Sequence, residues 1–211
     1  MAKKIGATFD PNSIWKPIEE GTYPAHIKSI NNREIQTRAG EAIVVNMTYK
    51  VSDDVDKETQ LMWEMDGYEY VKDDNGNRVP VINGKGTQST STCDHLKGRD
   101  FQDNGWFIFT SGSSAGKNKR YFELLANLGV ECKEEKVDGK TMKTLVLLEE
   151  SDVVGKPVKI TVKRQEFVTS ETKHLPPDQQ VKRSTFKVSN VAEWTDGQQL
   201  QVDELEGDVP F

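Results

Sequence analysis

Apolar residues recur at period two through much of this chain. Tyr23, Ala25 and Ile27 alternate with Thr22, His26 and Lys28, and Ile43, Val45, Met47, Tyr49 and Val51 follow in strict alternation. Period two places one residue set on one face of a strand. Two strands joined by the polar, basic stretch from Asn31 to Gly40 therefore predict a hairpin carrying Arg33 and Arg38 at its tip. Further strands are predicted at Leu61 to Met65 with an exit through Tyr68 and Tyr70, at Trp106 to Phe109, around Val158, Ile160 and Val162, and from Thr185 to Trp194. Asp74, Asn75, Gly76 and Asn77 form a strong turn signal, with apolar Val79 to Ile82 beyond it. Leu145 to Leu148 is a short apolar run.

One segment has helical spacing instead. From Asn118 to Leu128, residues Tyr121, Leu124, Leu125 and Leu128 share a face, and Gly129 supplies a C-terminal stop. Residues 83–105 are rich in Gly, Ser, Thr and Asp and receive no assignment. Thr169 to Lys182, with Pro176 and Pro177, reads as a long flexible finger between two strands.

Five to seven strands, one helix between the early and late ones, and basic loops joining hairpins predict a mainly β protein. The expected architecture is an OB-fold-like five-stranded Greek-key barrel with extra strands or hairpins. Sandwich topologies satisfy the same pattern. Residues 1–20 are expected to form an arm tacked onto the core by Phe9, Ile14, Trp15 and Ile18, residues 21–194 the folded domain, and residues 195–211 a flexible acidic tail.

Charge changes this picture more than composition does. The 211 residues carry a formal net charge of −6, but unevenly. Residues 53–74 hold nine acids and two lysines, whereas residues 156–187 hold eight bases and three acids. From Asp203 to Phe211 there are four acids and no base, which leaves the remainder at −2. A polarised body of this kind is compatible with an anionic partner despite the acidic total. No stretch is long and apolar enough for a membrane span, the start has no signal-peptide pattern, and the two cysteines, Cys93 and Cys132, lack paired spacing. A cytoplasmic protein with reduced thiols and no membrane partner is expected.

Basic residues accompany aromatics in four places. Arg33 and Arg38 precede Tyr49; Lys117, Lys119 and Arg120 adjoin Tyr121; Lys163 and Arg164 precede Phe167; Lys182 and Arg183 precede Phe186. Cations neutralise successive phosphates, and aromatic faces stack on unpaired bases whatever their identity. These clusters, with Tyr68 and Tyr70 from the acidic belt, are the candidate DNA-binding residues; Trp63 is assigned to the core.

The C-terminus offers a different chemistry. Asp203, Glu204, Glu206 and Asp208, followed by Val209, Pro210 and Phe211, present carboxylates to a basic groove and a terminal ring to an apolar pocket. This run resembles the acidic tip of bacterial single-stranded DNA-binding proteins. The body resembles phage counterparts from replication and recombination modules, through Glu20 to Ala25, the strand pair across Ala39 and Gly40, the Tyr121 to Gly129 helix and Gly155 to Val162. The resemblance implies sequence-tolerant binding of single-stranded DNA, with recruitment of replication or recombination proteins through the tip. Here the acids are interrupted by Leu205 and Gly207, and Thr195 to Val202 is a short linker.

Enzymatic readings are weaker. Gly112 to Asn118 is one residue short of a Walker A loop and has Asn at the metal-binding hydroxyl position. Cys93, His95, Cys132 and His174 lack metal-ligand spacing. Asp138 and Lys140 with Glu134 or Glu135 faintly resemble a nuclease set, but a polar turn accounts for them. No catalytic residue, metal or cofactor is expected. The alternatives are a small metal-dependent nuclease and a virion or scaffolding protein, and a homodimer is compatible with the sequence.

Overall fold

The computed structural model describes residues 16–66, 69–112, 118–137 and 140–205. In chain order the strands are β1 (Gly21–Thr37), β2 (Gly40–Val51), β3 (Thr59–Leu61), β4 (Met65–Asp66), β5 (Glu69–Tyr70), β6 (Thr90–Thr92), β7 (Asp100–Gln102), β8 (Trp106–Phe109), β9 (Glu134–Val137), β10 (Lys140–Lys143), β11 (Pro157–Val168) and β12 (Lys182–Glu193). The helices are α1 (Lys119–Asn127), α2 (Glu150–Val153) and α3 (Val202–Leu205). The protein is mainly β, and the main sheet is antiparallel.

Strand order in that sheet is β12-β11-β1-β2-β7, with β8 also pairing β2. The first half of β1 pairs with β11 (Tyr23 opposite Ile160), and most of its length pairs with β2 (Asn32 opposite Val45). Its inward side chains Tyr23, Ala25 and Ile27 meet Val45, Met47, Tyr49 and Val51 from β2 and Val158, Ile160 and Val162 from β11 in one core. The sheet remains open: its two edges approach at a single parallel bridge, Asp103 to Val188.

A bulge between β7 and β8 determines how the next strand faces. Phe101 sits opposite Tyr49, and the Asp103 amide donates to the Met47 carbonyl at 3.3 Å, yet Trp106 sits opposite Val45. Three residues on one strand thus span two on the other, which reverses the alternation. Trp106 and Ile108 turn inward as a result, and Phe107 and Phe109 turn outward. Gly105 makes the turn with φ of +88°; a Cβ there would lie 2.4 Å from Val44 Cγ1.

The bulge is held by the buried carboxylate of Asp103. One oxygen accepts from the Trp106 indole (2.8 Å), the Tyr49 hydroxyl (3.1 Å) and the Met47 amide (3.2 Å); the other accepts from the Gly105 amide (2.9 Å) and Asn46 Nδ2 (3.4 Å). Burial pushes its pKa up, and the donors oppose that shift.

Helix α1 fills the gap where β8 and β12 do not pair. Tyr121, Leu124 and Leu125 are its buried face, and Gly129 terminates it with φ of +64°. Its polar side chains satisfy strand backbone that would otherwise be an open edge. Asn118, buried before the first turn, accepts from the Phe109 amide (2.8 Å) and donates to the Phe109 carbonyl (3.2 Å). Arg120 donates to Ser189 O at 3.0 Å, and Asn127 to Val191 O at 2.8 Å.

The excursion between β2 and β7 is built on backbone rather than on an apolar stripe. Glu64, Val79 and Val71 donate amide to carbonyl around a closed triangle at 2.8–3.0 Å, and Met62, Ser89 and Val81 form a second at 2.7–3.1 Å. Two turns of one design project from it. Asp73 Oδ1 accepts from the amides of Asn75 and Asn77, Asn83 Oδ1 accepts from those of Lys85 and Thr87, and Gly76 and Gly86 have positive φ at equivalent places. The turn predicted at Asp74 to Asn77 is thus one of a pair.

The apolar run Leu145 to Leu148 forms no regular element; Leu148 is buried, and its carbonyl accepts from Asn32 Nδ2. One expectation is corrected: Thr195 to Val202 is not a free linker. Leu200 N donates to Gly155 O (3.0 Å), His26 Nε2 lies 2.9 Å from Gln198 O, Lys50 donates to Leu205 O (2.8 Å), and Trp194 and Leu205 are buried. The chain crosses the end of the core as a strap, passing so close to Gly155 (φ +81°) that a Cβ there would sit 2.0 Å from Leu200 O.

Two outcomes follow for stability. Asp103→Ala strands several buried donors, so it should lower unfolding free energy by about 3–5 kcal/mol in urea denaturation, and Asp103→Asn by about half that, since it keeps one acceptor. Burial lowers the pKa of both His26 and His95 from 6.5. Below that value the unfolded chain binds protons that the folded one rejects, so stability is full above it and falls as pH drops. The thermal midpoint should therefore decline between about pH 7 and pH 5.5, less steeply in the double variant His26→Gln, His95→Gln.

Candidate nucleic-acid interface

The outer face of the main sheet follows from its register. Past the irregularity at Ile27 to Ser29, Asn31, Arg33 and Ile35 of β1 stand opposite Asn46, Val44 and Ala42 of β2, and those last two stand opposite Phe107 and Phe109 of β8. Opposed residues in an antiparallel pair share a face. The face therefore carries an arginine, an apolar floor and two aromatic rings. Phe107 and Phe109 stack on each other, centroids 6.1 Å apart and planes 18° apart, and Phe107 is 40% exposed.

The hairpin of β11 and β12 runs beyond the core as a two-stranded arm and continues this surface. Opposed pairs Lys163 with Lys187, Gln165 with Thr185 and Phe167 with Arg183 lie on one face of it. Two contacts join that face to the sheet: Lys187 Nζ donates to Gln102 Oε1 at 3.4 Å, and Asn104 Nδ2 donates to Gln165 Oε1 at 2.8 Å. No acidic residue is among these eight. Lysines directly opposite each other repel. Among the described residues, none of Arg33, Lys163, Arg183 and Lys187 is in an ion pair. The surface thus concentrates uncompensated positive charge beside exposed rings.

The predicted residues divide accordingly. Arg33 and Arg38 are exposed on the β1–β2 hairpin, and Lys163, Phe167 and Arg183 share the arm face just described. Arg164 and Lys182 lie on the opposite face of the arm, where the Arg164 amide donates to Glu20 Oε1 at 2.8 Å. Lys119 is exposed and paired with Glu123 at 3.6 Å. Arg120 lies over the Trp106 ring at 4.9 Å while bonding β12, so its guanidinium already serves the fold.

Burial removes two aromatics from direct contact with a surface ligand. Tyr49 is a fully buried core residue bonded to Asp103. Tyr121 is buried under β8 and donates to Val146 O while accepting from Leu148 N. Burial drives both phenol pKa values up, that of Tyr121 to about 12. Tyr70 is half-buried, donates to Glu19 Oε1, and has the Arg78 guanidinium 4.0 Å above its ring, so one face is already covered. Trp63 is partly buried, with the same guanidinium 5.7 Å from its ring. Tyr68, Lys117, Glu206, Asp208, Val209, Pro210 and Phe211 lie outside the described residues, as does Asp138, and the Asp203 side chain is likewise not described. The Glu204 carboxylate accepts from the Gln201 amide at 2.7 Å, beside the docked strap.

Sequence reasoning missed Phe107, Phe109, Gln102, Asn104 and Gln165. Four consecutive apolar residues from Trp106 to Phe109 show a strand without showing which two face out; the bulge decides that, and a bulge leaves no periodic trace. The signal available was Asp103-Asn104-Gly105, a turn-prone triplet directly before the run. Among the described residues, no three His, Cys, Asp or Glu side chains gather into a metal-binding group. Comparison with protein-family models, with curated proteins and with solved structures finds no match to this chain.

Proposed function

We propose that this protein binds single-stranded DNA with little sequence preference, as an OB-fold module of phage replication, recombination or repair. The observation that carries this reading is the stacked Phe107–Phe109 pair, Phe107 exposed and Phe109 half-buried, on the same face as Arg33 and next to the acid-free cationic face of the arm. Exposed ring faces gain most from bases that are themselves unpaired, and cations along the path gain from phosphates of any sequence. A duplex buries its base faces and would use only the charges.

Strand order supports the OB-fold reading. The first strand is flanked by β2 and β11, β11 continues into β12, β12 meets the β7–β8 segment in parallel at one bridge, and the helix lies between β8 and β11. In OB-folds the face of the second and third strands, with the loops joining strands one to two and four to five, binds oligonucleotides. Here those correspond to β2 with β8, the tip at Arg38, and the arm. The acidic run from Asp203 to Phe211 suits recruitment of replication or recombination proteins through its carboxylates and terminal ring.

Titration with oligothymidine at low salt tests the reading. The wild type should bind, Phe107→Ala with Phe109→Ala should weaken binding by about 10- to 100-fold, and Lys163→Gln with Lys187→Gln should reduce the slope of log K against log salt by about 1.4. Absence of binding at low salt, or equal affinity for single and double strands in wild type and the double phenylalanine variant, overturns it.

A further inference from the structure

We infer that the surface holds two stacking stations rather than one, the second at Phe167, and that a strand passes between them over the Asn104–Gln165 bridge. This rests on the single-stranded DNA reading. Phe167 is 45% exposed on the two-stranded arm, directly opposite Arg183. A lone exposed aromatic needs no explanation. This one shares its face with Lys163, Lys187 and Arg183, each without an ion pair among the described residues, so ring and charge are supplied together as a nucleotide requires.

The stations are separate. Phe107 follows the bulge on β8 and Phe167 lies four residues beyond Lys163 on β11, roughly 13 Å along a strand from the point where the arm leaves the sheet. Between them lie carboxamides, lysines and Thr185 opposite Gln165: Gln102 is bonded to Lys187, and Asn104 to Gln165. In the Asn104–Gln165 pair, Asn104 Oδ1 and the Gln165 amide hydrogens remain available, so the crossing offers an acceptor and donors to base or phosphate but no ring. A short oligonucleotide fills the sheet station alone, and only a longer one reaches the arm. Affinity therefore rises in two increments with length.

The test measures affinity for oligothymidines of about 4, 8 and 16 nucleotides, which span the usual range for one such module. Phe167→Ala and, separately, Asn104→Ala are compared with wild type, after thermal melting shows that each exposed substitution leaves the fold intact. Phe167→Ala should leave the shortest oligomer within twofold of wild type and weaken the longest by about 5- to 50-fold, with an unchanged salt slope, because a ring and not a charge is lost. Asn104→Ala should also weaken only the longest. Equal effects at every length, or none at any, overturn the two-station arrangement while leaving the DNA-binding reading standing. Failure of wild type to bind any length overturns that reading itself.

Discussion

The Asp103 carboxylate is the constraint on which the rest of the structure depends. It is, with Glu19, one of two buried acidic residues among the described residues, and it is tolerated because five donors converge on it. Those donors come from β2, from the bulge and from the first residue of β8. Fixing them fixes the bulge, and the bulge decides which rings of β8 enter the core and which face solvent. Trp106, oriented by the same oxygen, in turn underlies Arg120, which reaches across to β12. One buried charge thus links the sheet edges that backbone pairing leaves open.

Much of the fold was legible because alternation is a local signal. The β1–β2 hairpin, β8, the core of β11 and β12, and the helix ending at Gly129 all follow from side-chain period and stop residues. The excursion from β3 to β6 was legible mainly in its turn at Asp74 to Asn77, since the rest of its order comes from triangles of backbone hydrogen bonds. Thr195 to Val202 was read as a linker because it is polar. What holds it are main-chain groups, at Gly155, Gln198 and Leu200, to which composition is blind.

The candidate site was legible in charge and not in aromatics. Lys163, Arg183 and Arg33 stand out wherever they are placed, because lysine and arginine side chains seek the surface. A tyrosine is ambiguous: its ring suits a core and its hydroxyl suits either a buried acceptor or water. Tyr49 and Tyr121 took the core because each found polar partners there, Asp103 for one and the main chain at Val146 and Leu148 for the other. Phenylalanine is expected inside, so Phe107 and Phe167 attract notice only once their exposure is known, and Phe109 only through its stacking on Phe107.

The pairing of β1 with β11 has a kinetic consequence. β1 finds its first partner across a tight turn but its second more than half the chain later, and the strap closes over the core later still. During synthesis the sheet of β1, β2, β7 and β8 therefore emerges as an unfinished half, with Tyr23, Ala25 and Ile27 uncovered until Val158, Ile160 and Val162 arrive. Distant pairing of this kind slows folding and prolongs exposure of apolar surface. Production of the protein should thus be more sensitive to the rate of translation and to chaperone supply than its compact final core suggests.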